Sequence, residues 1–287
     1  MKLLSFQVEQ EASFGALVDD RVVDLKRALR NKYADLREVL RAGALAELES
    51  AAKAGKTAYA LTDIRFLPVI PNPSKIICIG INYETHRSET GKDPLAKPWV
   101  FARFPNTQVG HGNPLIQPIE SVKFDYEGEI AVIIGKTGRR IARDAAWEYI
   151  AGYAPYNDGS VRDWQRHTPQ WTPGKNFFRT GGFGPWMATR ASIADNAELH
   201  LCTRLNGMKV QRATSHEMIF SIPELIEYCS MFTELEPGDV IVTGTPGGIG
   251  AKREPPLFMK EGDIVEVEIA EIGTLRNPVK SEAQLAE

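Results

Sequence analysis

Apolar residues cluster in two short runs near the start of the chain, at 3–8 and 14–24, and the second run contains the pair Asp19-Asp20. Apolar and β-branched residues on both sides of a turn-prone pair are typical of strands joined by a tight turn. We therefore expect a small β element here, with its turn at Asp19 and Asp20.

The next segment changes to a helical period. Leu36, Val39 and Leu40 recur at the spacing of one helix face, and residues 45–54 are rich in Ala, Glu and Leu. Both segments are predicted to be helices. We expect Gly55 to end the second one in a left-handed cap, because glycine adopts positive φ without steric cost.

A proline-rich connector follows at 66–74, with three prolines in nine residues. Proline favours extended backbone for itself and for the residue before it. We predict a domain boundary near residue 70, which gives a small α/β N-terminal domain at 1–70 and a larger domain at 71–287.

Beyond the connector the pattern is rich in strands. The pair Asn206-Gly207 lies between two apolar runs and is a strong hairpin signal, because both turn positions favour positive φ. Strands at irregular spacing with few helices between them favour a mixed or antiparallel sheet that closes on itself, so the predicted class is α+β and β-rich. The predicted strands are 75–81, 129–135, 185–189, 199–205, 239–244 and 263–269.

One helix stands out in this part, at 222–232. Ser221 and Glu224 have the spacing of a capping box, which satisfies two backbone N–H groups at a helix start. Its predicted apolar face contains Ile222, Leu225, Ile226 and Cys229.

Composition excludes several classes of protein. Of the 287 residues, 43% are hydrophobic and 25% charged, as in an ordinary globular protein. Lys and Arg number 34 against 37 Asp and Glu, a net charge of −3, and no basic run is present. Nucleic acid is therefore not an expected partner, because phosphate backbones require a positive footprint.

The cysteines and the apolar runs bear on the compartment. Cys78, Cys202 and Cys229 are odd in number and lack CxxC spacing, which argues against a disulfide framework or a zinc site. No run approaches the 18 or so apolar residues that span a bilayer, so no membrane partner is expected. We expect a reduced, cytoplasmic protein.

Acidic residues gather beside one buried run. Glu127 and Glu129 are two apart at the start of an apolar strand, so both carboxylates lie on one face. Two like charges beside a buried run require a cation or a cationic side chain between them, unless the strand end simply faces water. Exposure to water is the commoner case for a lone Glu-x-Glu.

A third carboxylate, Asp158, lies in the turn-prone triplet 157–159, before a predicted helical stretch at 160–165. By itself Asp158 could serve only as a helix N-cap. Three carboxylates without His or Cys at ligand spacing suit a hard divalent ion, Mg²⁺, Mn²⁺ or Ca²⁺, rather than zinc.

His86 and Glu89 form a further candidate pair in the polar stretch that follows the strand at 75–81. If that stretch is helical, the i, i+3 spacing places the carboxylate beside the imidazole and raises its basicity for proton abstraction. The alternative is a surface loop in which both side chains merely face solvent.

Together these segments resemble the fumarylacetoacetate hydrolase family over nearly all of residues 75–280. Residues 1–70 resemble the small domain that many bacterial members carry. The fragments that carry the resemblance are GINYETHRSE (80–89), DYEGEIAVIIGK (125–136), YNDGSVRDWQ (156–165), TPGKNF (172–177), LNGMKVQ (205–211), TGTPGGIG (243–250), PPLFMKEGD (255–263) and IGTLRNPV (272–279).

The resemblance implies a mixed β-roll catalytic domain, a homodimer, and a Mg²⁺ or similar ion held by Glu127, Glu129 and Asp158. It implies that His86 and Glu89 activate water when a short lid segment folds over the site. Lys175 matches the lysine that faces developing negative charge. The matching substrate-binding residues are Arg162, Gln165 and Thr245.

The activity implied by the resemblance is metal-dependent hydrolysis of a C–C bond in an acylpyruvate or similar β-diketo acid, in aromatic-compound catabolism. The enzyme alternative is a 2-oxo acid decarboxylase, isomerase or lyase that uses the same metal-bound enolate. A catalytically silent binding protein is the third alternative, which predicts a degraded site, whereas every ligand and dyad position is filled here.

One departure from the family pattern follows Asp158, where Gly159 and Val161 replace a bulky apolar residue and an alanine. We expect this change to enlarge or reshape the substrate pocket. Aromatic residues nearby either line that pocket or belong to the core, and the core is favoured for most of them. They are Trp164, Trp171, Phe177, Phe178, Phe183 and Trp186.

Overall fold

A large mixed β-sheet carries most of the elements that position the acidic cluster. The computed structural model describes residues 1–55 and 58–284. The strands are β1 Lys2–Val8, β2 Glu11–Val18, β3 Arg21–Asp24, β4 Ala58–Ala60, β5 Arg65–Phe66, β6 Ile76–Gly80, β7 Trp99–Arg103, β8 Gln108–Val109, β9 Leu115–Gln117, β10 Phe124–Asp125, β11 Gly128–Ile134, β12 Ile150–Asn157, β13 Ser160–Val161, β14 Gly181–Phe183, β15 Met187–Thr189, β16 His200–Leu205, β17 Met208–Thr214, β18 Val240–Val242, β19 Ile264–Ile269 and β20 Gly273–Ser281.

Helices are short by comparison. The α-helices are α1 Leu25–Ala28, α2 Leu36–Arg41, α3 Leu45–Ala54, α4 Glu84–Thr90, α5 Arg162–Gln165, α6 Thr172–Lys175 and α7 Ile222–Phe232. Turns of 3-10 helix lie at Leu61–Asp63, Pro105–Thr107, Arg143–Tyr149, Arg190–Ser192, Ser215–Glu217, Gly250–Lys252 and Glu282–Gln284. The predicted α+β, β-rich class is confirmed.

Three sheets organise the strands among the described residues. The main path of the 13-stranded sheet runs β4-β3-β2-β1-β15-β12-β11-β18-β6-β7, with β5, β8 and β14 off this path. A five-stranded sheet runs β17-β16-β19-β20-β9, and β10 pairs with β13. The β6–β18 pair is parallel, whereas β11 is antiparallel to both of its neighbours, so the large sheet is mixed.

The predicted turn between the N-terminal strands is present. Asp19 and Asp20 adopt φ of 46° and 61° between β2 and β3, which pair antiparallel. Because β1 also pairs with β15, the N-terminal strands extend the same sheet that carries the acidic cluster. The division at residue 70 stays a prediction about folding units.

The predicted helices α2, α3 and α7 are confirmed, but the predicted cap at Gly55 is wrong. Gly55 has φ of −66° and is extended, not left-handed. A Cβ at Gly55 would lie 2.3 Å from Cγ1 of Val23, so the glycine permits close passage of the chain beside β3. At α7 the predicted capping box is formed by Ser221 and Glu224.

The predicted helical start at 160–165 is wrong in its first two residues. Ser160–Val161 forms β13 and pairs with β10, and the helix α5 begins only at Arg162. Ladder bonds to a strand distant in the chain replace the local helical bonds. Asp158 is consequently not the N-cap of this helix, a position taken by Val161.

The structure also describes the three cysteines and the apolar segments of the chain. Cys78, Cys202 and Cys229 are all free, and the first and last are buried. In residues 1–55 and 58–284, no helix is both long enough and apolar enough to cross a membrane.

The Asn206-Gly207 hairpin forms as predicted between β16 and β17, with φ of 52° and 79° at the two residues.

Candidate metal centre and active site

The three predicted metal ligands converge at one end of the β11–β12 pair. Glu127 directly precedes β11 and Asp158 directly follows β12, and these strands run antiparallel, so the two residues meet. The Asp158 N–H donates to the Glu127 carbonyl at 2.8 Å. Glu129 lies beside them. One carboxylate oxygen from each of these three buried residues lies within 4.8 Å of the other two.

Buried cations surround two of these carboxylates. The Lys175 Nζ lies 2.5 Å from Glu127 Oε2 and 2.7 Å from Asp158 Oδ2. Arg162 Nη1 lies 2.7 Å from the other oxygen of Glu127, and Arg103 Nη1 lies 2.5 Å from Asp158 Oδ1. The strand end is therefore not a solvated edge, and each of these two acids is charge-compensated.

Glu129 differs from its neighbours. Among the described residues no Lys, Arg or His lies within ion-pair distance of it, and the Gly244 N–H donates to its Oε2. Burial raises the pKa of the Glu129 carboxyl, and the charges of Asp158 and Glu127 raise it further. Burial also raises the pKa of Glu127, but Arg162 and Lys175 outweigh it and hold that pKa below its usual range.

The donor set fits a hard divalent cation. Oxygen ligands are those that Mg²⁺, Mn²⁺ and Ca²⁺ prefer, and a carboxylate without a cationic partner is costly to bury as an anion unless an ion compensates it. The buried cluster contains four carboxyl groups and three cationic side chains, so one acid has no cation to match it: Asp125, Glu127, Glu129, Asp158, Arg103, Arg162 and Lys175.

The predicted His-Glu pair is brought together by helix α4. His86 Nδ1 lies 2.7 Å from Glu89 Oε1, so the helical interpretation of this segment is confirmed. The second oxygen of Glu89 accepts the Gly248 N–H at 2.8 Å, and Thr85 Oγ1 accepts the Gly247 N–H at 3.0 Å. These two bonds hold α4 against the glycine-rich loop at 243–250.

One cavity of about 380 Å³ connects the pair with the acidic cluster. His86, Glu127 and Glu129 line the same space. Because Nδ1 of His86 is held by Glu89, Nε2 is the nitrogen available for proton transfer in the cavity. The remaining lining residues are Ile79, Gly80, Ile81, Thr90, Lys92, Phe101, Arg162, Gln165, Arg166, Trp171, Lys175, Thr245, Ile249 and Lys252.

The predicted substrate-binding residues all line this cavity. Arg162 donates to Gln165 Oε1 at 3.0 Å across one turn of α5. The Thr245 hydroxyl donates to the Gly128 carbonyl at 2.9 Å and accepts from the Gln211 amide at 2.8 Å. Their contacts with substrate stay a prediction.

Sequence reasoning missed two charged residues of this cluster. Arg103, at the end of β7, is only 2% exposed, and besides Asp158 it bonds the hydroxyl of Thr180 at 2.8 Å. It is 55 residues from Asp158, so no local spacing could have indicated the pair.

Asp125 is the second missed residue. Its carboxylate accepts from Arg162 Nε at 2.8 Å and from the N–H groups of Gly250 and Ala251 at 2.8 and 2.9 Å. Burial raises the pKa of this carboxyl. The alternation Asp125, Glu127, Glu129 carried a signal, since it continues the period of two.

The predicted effect of Gly159 on the pocket stays a prediction. A Cβ there would lie 2.1 Å from the Thr180 carbonyl and 3.0 Å from the Phe124 ring, and Gly159 is absent from the cavity wall. The glycine permits close backbone approach. Of the aromatic residues singled out, Trp171 lines the cavity, Phe183 is buried in the core and Phe178 is 55% exposed.

Comparisons with known proteins identify the family of this chain. Residues 75–280 match the family described as Fumarylacetoacetate (FAA) hydrolase C-terminal. A relative from Xenopus laevis, "Oxaloacetate tautomerase fahd2, mitochondrial", is 37% identical over 97% of this chain and 90% of its own.

Solved structures extend the similarity to the whole fold. Fumarylacetoacetate hydrolase from Exiguobacterium antarcticum matches with a TM-score of 0.86 and 32% identity, over 98% of this chain and 100% of that one. Maleylpyruvate hydrolase from Sphingobium sp. SYK-6, in complex with manganese (II) ion and pyruvate, matches with a TM-score of 0.81 and 25% identity, over 98% and 99%. The chain belongs to the fumarylacetoacetate hydrolase family.

Proposed function

We propose that this chain is a metal-dependent keto–enol tautomerase, which moves a proton at the carbon next to the keto group of a 2-oxo acid. The observation that carries the proposal is that His86, paired with Glu89, lines the same cavity as Glu127 and Glu129, beside which Asp158 is buried. The relative described as an oxaloacetate tautomerase supports this reaction class.

The residues divide the reaction between them. Glu127, Glu129 and Asp158 would hold a divalent ion, which is Mg²⁺, Mn²⁺ or Ca²⁺. This ion would act as a Lewis acid that polarises the bond to the keto oxygen. In ketonisation the enol O–H bond breaks, its proton leaves to water and its electron pair forms the C=O bond. The electron pair of the C=C π bond then forms a C–H bond at the neighbouring carbon with a proton from His86 Nε2.

Glu89 holds the imidazole in the required orientation through its contact with Nδ1. The ammonium of Lys175 faces the negative charge that develops on the oxygen, and in the reverse direction the same groups enolise the keto acid.

Hydrolysis of a C–C bond in an acylpyruvate is the second candidate, and it was the leading prediction from the sequence. The observation that favours it is the apolar wall formed by Ile79, Phe101 and Trp171, which offers room for an acyl group beside the dyad. In that reaction His86 would deprotonate water for attack on the carbonyl. A role in aromatic catabolism belongs to this candidate.

The experiment follows the enol absorbance of oxaloacetate and of several acylpyruvates with Mg²⁺, Mn²⁺ or chelator, with identification of products. Metal-dependent loss of the oxaloacetate enol with an intact carbon skeleton is the expected result. Release of pyruvate plus a carboxylic acid from an acylpyruvate would establish hydrolysis instead. Release of CO₂ that survives His86→Ala would indicate a decarboxylase.

The assembly and compartment stay predictions. A homodimer, as the family resemblance implies, is to be tested by the mass in solution. Localisation in the cytoplasm also stays a prediction, because the Xenopus laevis relative is described as mitochondrial.

A further inference from the structure

Three cationic side chains line the mouth of the active-site cavity: Lys92, Arg166 and Lys252. All three are exposed. Among residues 1–55 and 58–284, none has a carboxylate within ion-pair distance, in contrast to the buried Arg103, Arg162 and Lys175, each of which pairs with a carboxylate. The ammonium of Lys92 lies over the Trp99 ring, 5.5 Å from its centre, which leaves Arg166 and Lys252 as the cations without a described partner.

These two residues are attached to the elements that build the floor. Arg166 directly follows α5, whose Arg162 and Gln165 line the cavity. Lys252 ends the 3-10 turn Gly250–Lys252, and Asp125 accepts the first two N–H groups of that turn.

The same Asp125 carboxylate holds Arg162. A single buried anion therefore links the segment that carries Arg166 with the turn that carries Lys252. Asp125 thus helps to fix the backbone positions of both Arg166 and Lys252.

We propose that Arg166 and Lys252 are specificity-determining residues, which bind the second carboxylate of a 2-oxo dicarboxylic acid and so select it over a monocarboxylic one. This inference rests on the proposed function, in which the 2-oxo acid end lies at the floor near Glu127, Glu129 and Lys175. A substrate with its other carboxylate at the mouth supplies the missing anionic partner, whereas a monocarboxylate leaves both cations to water.

The test compares oxaloacetate with its C4 methyl ester, which removes the distal charge and adds one methyl group. Wild-type protein is expected to prefer the acid in kcat/KM. The preference should fall about fivefold in Arg166→Gln and in Lys252→Met and further in the double variant, with the loss in KM rather than in kcat. Lys209→Met, an exposed lysine outside the cavity, is the matched control and should keep the wild-type preference.

The outcomes separate this inference from the proposed function. Equal use of acid and ester by the wild type, or an unchanged preference in the double variant, would overturn the distal site and leave the tautomerase intact. If the metal-loaded wild type turns over neither compound, the proposed function fails. Calorimetric binding of the same two compounds then decides the site: a preference for the acid that the double variant loses supports it, and equal binding refutes it.

Discussion

Charge compensation at single residues determines what this site can do. Asp158 is fully buried and is held between Arg103 and Lys175, whereas Glu129 has no described cationic partner. Paired carboxylates stay ionised in the interior because cations offset the cost of their burial. The asymmetry therefore points to Glu129 as the acid that most depends on a bound ion.

Replacement of Arg103 tests the buried pair. Arg103→Met should lower the free energy of unfolding by about 3–5 kcal/mol, because it leaves the buried Asp158 carboxylate with one cation fewer. Denaturant unfolding measures the change. Arg41→Met, which removes an exposed ion pair to Glu236, is the control and should cost under about 1 kcal/mol. Equal losses in the two variants would contradict the account.

Replacement of Glu89 tests the orientation of the imidazole. Glu89→Gln should lower kcat for the enol conversion by about tenfold to a hundredfold, because the amide no longer holds Nδ1 of His86 as the carboxylate does and the imidazole loses its fixed orientation. Steady-state kinetics provide the readout. Glu84→Gln, on an exposed position of the same helix, should stay within about twofold of wild type, and a similar loss in both variants would argue against the dyad.

At the scale of elements, local signals were read correctly and distant ones were not. The capping box of α7 and the Asn206-Gly207 hairpin involve residues a few positions apart, and both are present. The start of α5 differs from the prediction because Ser160 and Val161 pair with Asp125 and Phe124, which lie 35 and 37 positions earlier in the chain. Gly55 was misread because contact with β3, not helix-end preference, decides its backbone.

The capping box gives a prediction independent of the active site. Ser221→Ala should lower the free energy of unfolding by about 1 kcal/mol, since it leaves an N–H group at the start of α7 without its acceptor. Thermal or denaturant unfolding checks this value. Ser50→Ala, at an exposed position between the two ends of α3, is the matched control and should be neutral or slightly stabilising. A destabilisation by Ser50→Ala as large as that by Ser221→Ala would count against the capping argument.

At the scale of the whole molecule, the site is assembled from segments far apart in the chain. The sequence placed Glu127, Glu129, His86 and Lys175 within family-like fragments, and the structure brings them to one cavity. Arg103 could not be predicted, because its role depends on a contact across the fold. The chemical groups within one fragment can be predicted from sequence, whereas the ion pairs between distant fragments require the structure.

Metal binding should stabilise the entire fold. Any ion that binds only the folded chain raises stability, by about 2.7 kcal/mol at a concentration of 100 times Kd, so the Tm should rise on titration with Mn²⁺ or Mg²⁺ and return with chelator. Glu129→Gln should abolish the rise. Glu271→Gln, at a surface contact with His200, should retain it. A rise that persists in Glu129→Gln would place the ion elsewhere.

The central claim is that this chain moves a proton on a 2-oxo acid with the aid of a metal and His86. The most direct measurement is incorporation of deuterium at C3 of oxaloacetate in D₂O with Mg²⁺, followed by NMR and corrected for the rate without protein. The account predicts rapid exchange by the wild type, loss of that exchange with chelator, and a rate at least about a hundredfold lower in His86→Gln. Exchange at the wild-type rate in His86→Gln, or in the presence of chelator, would contradict it.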